Sequence, residues 1–265
     1  METLLILPIS FLMDMFINNF KLDIFAYIKN LFDKINNILH EKVYKENKIL
    51  EFIFGTLQNN NFNKARNILK ENLKIDTEDM DEETIIKRTI EYATITSAEN
   101  SIYLLILFII GGIPICFLYK TIYTLSKNEV AIDENKNKKL FEIFLVKLCF
   151  IINIILSLIS FLFYAISSLF LQYRFRNSFA ILKKDAKDSK SILECAIAGS
   201  LDIEIGGDYF KDGELFEREN VGDYMEELNY KLIEKVNKIL LLGNYISLSI
   251  LIFIKLIFML LSVIF

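Results

Sequence analysis

Apolar positions along this chain gather into three long blocks, residues 102–119, 148–173 and 239–265, and only Lys255 interrupts the last of them with a charge. Each block meets the roughly 20-residue requirement for a helix that crosses about 30 Å of hydrocarbon. A fourth apolar run, residues 3–20, holds Asp14 and Pro8 and has no basic segment ahead of it. It reads as a buried or interfacial helix of an aqueous domain rather than as a signal peptide.

Between the blocks the pattern keeps a helical period. Phe25, Ile28, Leu31, Phe32, Ile35 and Leu39 recur three and four positions apart, residues 60–73 continue the spacing, and strand signals are almost absent. Residues 82–98 predict a helix that runs straight into the first span. After the second span, residues 174–199 are basic and amphipathic, and Gly199, Gly206, Gly207 and Gly213 mark a turn-rich link. Met225, Leu228, Leu232, Val236 and Ile239 then line one face of an expected helix, opposite Glu226, Glu227, Lys231, Glu234 and Lys238.

The expected fold is therefore all-α: an integral membrane protein with three transmembrane helices and two cytoplasmic helical-bundle domains. Its parts are a first domain at 1–100, a span at 101–120, a short outer loop at 121–143, a span at 144–173, a second domain at 174–240 and a final span at 241–265. Stiff helices over 82–119 and 221–265 would be continuous across the membrane surface.

Composition agrees with a membrane protein that has sizeable aqueous parts: 53% of the 265 residues are hydrophobic and 24% are charged. The net charge of −4, with no basic stripe, implies no nucleic-acid partner. Eleven Lys and Arg side chains in the two long polar regions lie near span ends, against six in the short loop. That bias places the long regions and the N-terminus in the cytoplasm of a multi-pass inner-membrane protein and the C-terminus outside.

Candidate chemistry is sparse. His40 stands alone, and no nucleotide-binding, nucleophile-elbow or zinc-protease motif occurs. No catalytic residue, metal ligand or cofactor is expected, and the chain reads as a non-enzyme. Cys116 and Cys149 lie near the ends of consecutive spans and read as small apolar residues, with a pairing as the sharper alternative. The acidic stretch from Asp76 to Thr84 lacks the central Gly of a calcium loop and reads as helix capping. Gly111, Gly112 and Pro114 read as a simple kink in the first span.

One short element carries a resemblance. In "ERENVGDYMEEL", Glu219, Gly222 and Leu228 resemble the Gly-Glu-x-x-Gly-x-Leu element of the inner-membrane platform proteins of type II secretion and type IV pilus machines, the PilC-like family. Arg218 replaces the first Gly, Tyr224 stands where Leu is usual, and the first domain has no evident copy. The resemblance implies a homo-oligomeric platform that couples a cytoplasmic assembly ATPase to pilin-like subunits. A membrane-perturbing effector of a bacterial defence system is the alternative from a different class.

Within either reading Glu219 and Gly222 are expected to shape the start of the last amphipathic helix. Arg174, Arg176, Lys183, Lys184 and Lys187 are expected to meet membrane lipids or a partner. Lys255, a cation inside the last span, either snorkels to the interface, faces a polar seam with Asn153 or meets a partner's carboxylate.

Overall fold

The computed structural model describes residues 48–73, 75–78, 80–127 and 136–264. The apolar run at 3–20 and the periodic segment at 25–39 lie outside those residues, as does the side chain of Lys255 within its helix. The fold is mostly helical: α1 (residues 48–58), α2 (Phe62–Leu73), α3 (Glu82–Ser97), a π turn (Ala98–Ile102), α4 (Tyr103–Lys127), α5 (Lys136–Phe170), α6 (Phe175–Asp185), α7 (Ser189–Leu201) and α8 (Lys231–Ile264).

Local chemistry sets the helix starts. Asp81 caps α3 by accepting from Thr84 N at 2.9 Å, and Glu82 and Glu83 place negative charge on its positive end. Asp188 and Ser191 form a reciprocal capping box at the start of α7. The last helix begins at Lys231, whose N–H donates to the Asn229 side chain at 3.0 Å. The expected earlier start is corrected: Met225 is 74% exposed and Leu228 lies in irregular chain, so neither belongs to the apolar stripe of Leu232, Val236 and Ile239.

The expectation of a strand-free chain is also corrected. Four short strands follow α7: β1 (Ile205–Gly206) pairs antiparallel with β4 (Asn220–Val221), and β2 (Tyr209–Lys211) with β3 (Glu214–Phe216). Asp212 and Gly213, at φ 53° and 80°, turn the β2–β3 hairpin with the two positive φ values that a tight reverse turn requires.

Three helical stretches are long and apolar enough to cross a membrane, at Glu82–Ser126, Ile143–Phe170 and Lys231–Ile254. Large apolar side chains on α5 such as Phe150, Ile151 and Ile155 are half exposed, as lipid-facing residues are. The first stretch is not a straight rod. Gly111 (φ −154°) and Gly112 (φ 70°) leave the helical region, and beyond them the chain folds back on itself. Cys116 Sγ lies 3.5 Å from the Leu104 carbonyl, and Tyr123 donates to Glu99 at 2.7 Å. In an unbroken helix those pairs would be about 18 and 36 Å apart along the axis. The stiff helix expected over 82–119 is thus a helix broken into two legs.

Polar bonds join the helices: Tyr103 to Ser157 at 2.5 Å, Ser167 Oγ to Ile239 O at 2.7 Å and Asn244 Nδ2 to Ser97 Oγ at 2.9 Å. Gly243 lets α8 close on α5, since a Cβ there would lie 2.6 Å from the Tyr164 ring.

Candidate functional site

Four charged side chains from the two polar regions meet where α3, α7 and the strand segment come together. Helical spacing puts Arg88 and Glu91 one turn apart on a face of α3 that is otherwise Ile85, Ile86 and Ile90, and both are about 4% exposed. Arg88 Nη1 donates to Glu91 Oε2 at 2.7 Å. Its Nη2 donates to the carbonyls of Gly207 at 2.8 Å and Asp208 at 2.9 Å, and its guanidinium stacks over the Tyr209 ring. Glu91 Oε1 in turn accepts from Gly206 N at 2.6 Å. The pair thereby fixes the glycine loop between β1 and β2.

That loop positions the second pair. Asp208 accepts from the Arg218 backbone N–H at 2.8 Å, and the Arg218 guanidinium reaches Glu194 at 2.5 Å and Glu91 at 3.4 Å. Glu194 projects from α7, whose other residues between Ile192 and Ser200 are apolar or small, and it is fully buried. One of its oxygens lies on Arg218; the other, Oε1, has no hydrogen-bond partner, and neither has Arg88 Nε. Burial, with the negative charge of Glu91 beside it, pushes the Glu194 carboxyl up to about 7 against the pull of Arg218.

The cluster holds two carboxylates and two guanidiniums in a water-poor setting. Glu194 can take or give a proton near neutral pH, and Arg218, whose side chain keeps about a fifth of its surface exposed, is the group through which the cluster meets solvent. Among the described residues no group of His, Cys, Asp and Glu is arranged to hold a metal ion.

The residues singled out from sequence lie elsewhere. Glu219 pairs with Lys187 on the surface, twelve residues ahead of α8. Gly222 has φ 102° and is buried against Ile203 and Ala198, with its N–H donating to Asp185 at 2.9 Å. Lys184 pairs with Asp223 at 2.6 Å, and Lys183 is exposed. Arg174, paired with Asp202 at 2.8 Å, and Arg176 border an open cavity of about 530 Å³ just past the end of α5. Cys149 is buried and Cys116 half-buried, and both are free thiols. Sequence reasoning missed Glu91, Glu194 and Arg218 as a group. The signal was present as a lone Glu inside "SILECAIAGS" and as Arg88 and Glu91 on an apolar helical face.

The chain is similar to a set of bacterial proteins named cobalamin biosynthesis protein CobD. The one from Clostridium perfringens is 30% identical over 196 residues, 72% of this chain and 62% of the relative. That from Leptospira interrogans is 29% identical over 201 residues, 74% of this chain and 62% of the relative. One from Listeria monocytogenes is 30% identical over 178 residues, 65% and 55% of the two chains. This chain therefore spans less than two thirds of the length of these relatives. No protein-family profile matches it, and no solved structure does.

These likenesses overturn the secretion reading. The relatives are biosynthetic proteins, not inner-membrane platforms, so the assembly ATPase, the pilin-like subunits and the platform oligomer fall away as partners. The defence effector falls with them, and so does the expectation of a chain outside enzymatic chemistry. The match at Glu219, Gly222 and Leu228 was too short to carry a family: Leu228 is outside any helix and Glu219 is a surface ion-pair partner.

Proposed function

We propose that this chain is a multi-pass membrane enzyme of cobalamin biosynthesis, and that Glu194 is the proton-transfer group of its centre. The observation that carries the reading is the state of Glu194: fully buried, one oxygen on Arg218, the other unpaired, and its carboxyl near neutrality. An uncompensated buried oxygen is costly, and it is retained where a substrate group completes the hydrogen bonding. Glu91 and Arg88 act as positioning residues, because through Gly206, Gly207 and Asp208 they set the loop that aims Arg218.

The centre is placed at the cytoplasmic face of the bacterial inner membrane, with the substrate arriving from the aqueous side. Arg174 and Arg176, one turn beyond the α5 span, are suited to lipid headgroups at that boundary. Gly222 is proposed as a structural position that seats the strand segment on α7.

The test is complementation. Expressed in full in a strain that lacks its own CobD relative and requires added cobalamin, the chain is expected to restore growth without the vitamin. Continued dependence on cobalamin, with the protein present in membranes, would contradict the reading.

A further inference from the structure

The α5 helix stops where its apolar stretch stops. Gln172, at φ 62°, closes a Schellman motif in which Tyr173 N donates to Ser168 O at 2.9 Å and Gln172 N to Leu169 O at 3.0 Å. The stretch able to cross a membrane ends at Phe170, and Leu169 and Phe170 are 48% and 69% exposed, so the aqueous part of the protein leaves two large apolar side chains uncovered at the boundary. Immediately beyond, Tyr173 opens the wall of the cavity of about 530 Å³, a volume within the range of small-ligand sites, about 300–1,000 Å³.

Asp202 fixes that wall. It is 8% exposed and ends α7 at φ 52°. Its carboxylate accepts from Asn177 Nδ2 through one oxygen and pairs with Arg174 Nη1 through the other, each at 2.8 Å, while its carbonyl accepts from Glu226 N at 3.0 Å. The start of α6, the end of α7 and the segment 223–226 are thus tied at one residue, and the cavity between them is pre-formed. The charge left over in its wall is positive. Arg174 neutralises Asp202, and Lys184 neutralises Asp223 at 2.6 Å. Arg176 lies over the Phe175 ring and pairs with no carboxylate among the described residues, and Arg174 is bound through a single nitrogen with 76% of its side chain exposed.

We infer that this cavity seats the headgroup of one anionic phospholipid, with its phosphate between Arg174 and Arg176 and its acyl chains on the apolar side of the boundary marked by Leu169 and Phe170. The planar guanidinium forks match phosphate oxygens and stay charged at every working pH. A zwitterionic headgroup fits less well, because its ammonium meets two carboxylates that already have cation partners. A soluble anion would use the arginines but not the uncovered apolar residues beside them. The site rests on the proposed membrane placement of α5 and requires no proton transfer at Glu194, so a failure of complementation leaves it standing.

The test is thermal unfolding of the full chain in a nonionic detergent at matched ionic strength, with dioctanoyl phosphatidylglycerol, dioctanoyl phosphatidylcholine or inorganic phosphate added. Phosphatidylglycerol is expected to raise the midpoint by about 3 °C or more and the other two to leave it unchanged. Arg176→Gln, at an exposed position, is expected to raise the lipid concentration needed for that effect by about fivefold or more, and Lys183→Gln, exposed outside the cavity wall, to leave it as in the parent. No rise with phosphatidylglycerol, or an equal rise with phosphatidylcholine, would overturn the inference, and an equal rise with phosphate would overturn it in favour of a soluble anion. A rise untouched by Arg176→Gln, or weakened as much by Lys183→Gln, would overturn it in favour of diffuse surface charge.

Discussion

Tyr123 hydrogen-bonds to Glu99 at 2.7 Å although 24 residues of largely apolar helix separate them. The contact exists because Gly111 and Gly112 take backbone conformations that no helix interior holds, and Pro114 starts the second leg with no need for an N–H donor. Neither apolar leg, 102–110 or 113–119, is long enough to span about 30 Å alone.

The bend gives a sharp chemical test. Since Cys116 Sγ sits 3.5 Å from the Leu104 carbonyl, a Leu104→Cys substitution should form an intramolecular disulfide with the native Cys116 under mild oxidation. The cross-link would appear as a thiol count reduced by two. Two persistently free thiols would mean that the legs stand apart, as in a straight span.

Gly222 and Gly213 both have positive φ, yet their surroundings differ. A Cβ at Gly222 would lie 2.2 Å from the Ile203 carbonyl oxygen and 2.9 Å from Ala198 Cβ, whereas Gly213 has nothing within 4 Å. Gly222→Ala should therefore lower stability by roughly 3 kcal/mol, from backbone strain plus overpacking, and Gly213→Ala by only about 1 kcal/mol. Equal chemical-denaturation curves for the two variants would refute the close approach.

The raised Glu194 carboxyl makes stability depend on pH with a definite sign. Between its ordinary value of 4.5 and about 7 the folded chain binds more protons than the unfolded one at this position. The contribution of Glu194 is therefore fully present below about 4.5 and is lost as pH rises through about 7. Glu194→Gln should flatten the fall in melting temperature between pH 5 and pH 8; an identical slope in the parent and the variant would show that Glu194 does not titrate there.

Much of the helical plan was readable from the pattern of residues. Apolar blocks marked the α5 and α8 spans, and the acidic turn around Asp81 marked the start of α3. The β2–β3 hairpin was written in "YFKDGELF" through its Asp-Gly turn, but strands of three residues are too short to show a period. The start of α8 was misplaced because Met225 and Leu228 happen to continue the apolar spacing, while the local cap at Asn229 gave the true boundary. Gly111, Gly112 and Pro114 read as a simple kink, whereas the chain folds back on itself there, because the angle depends on a contact between residues 24 positions apart. The charged centre was hidden for the same reason: Arg88 and Gly206 are 118 positions apart, and no local pattern joins them.

The central claim rests on Glu194, and one growth measurement addresses it most directly. The strain lacking its own CobD relative, supplied with the parent chain or with Glu194→Gln at matched membrane abundance, is grown without cobalamin. The parent is expected to support growth and Glu194→Gln to reduce it by about a hundredfold in rate-limited yield or abolish it, as removal of a proton-transfer group does. Growth of the Glu194→Gln strain equal to that of the parent would contradict the account.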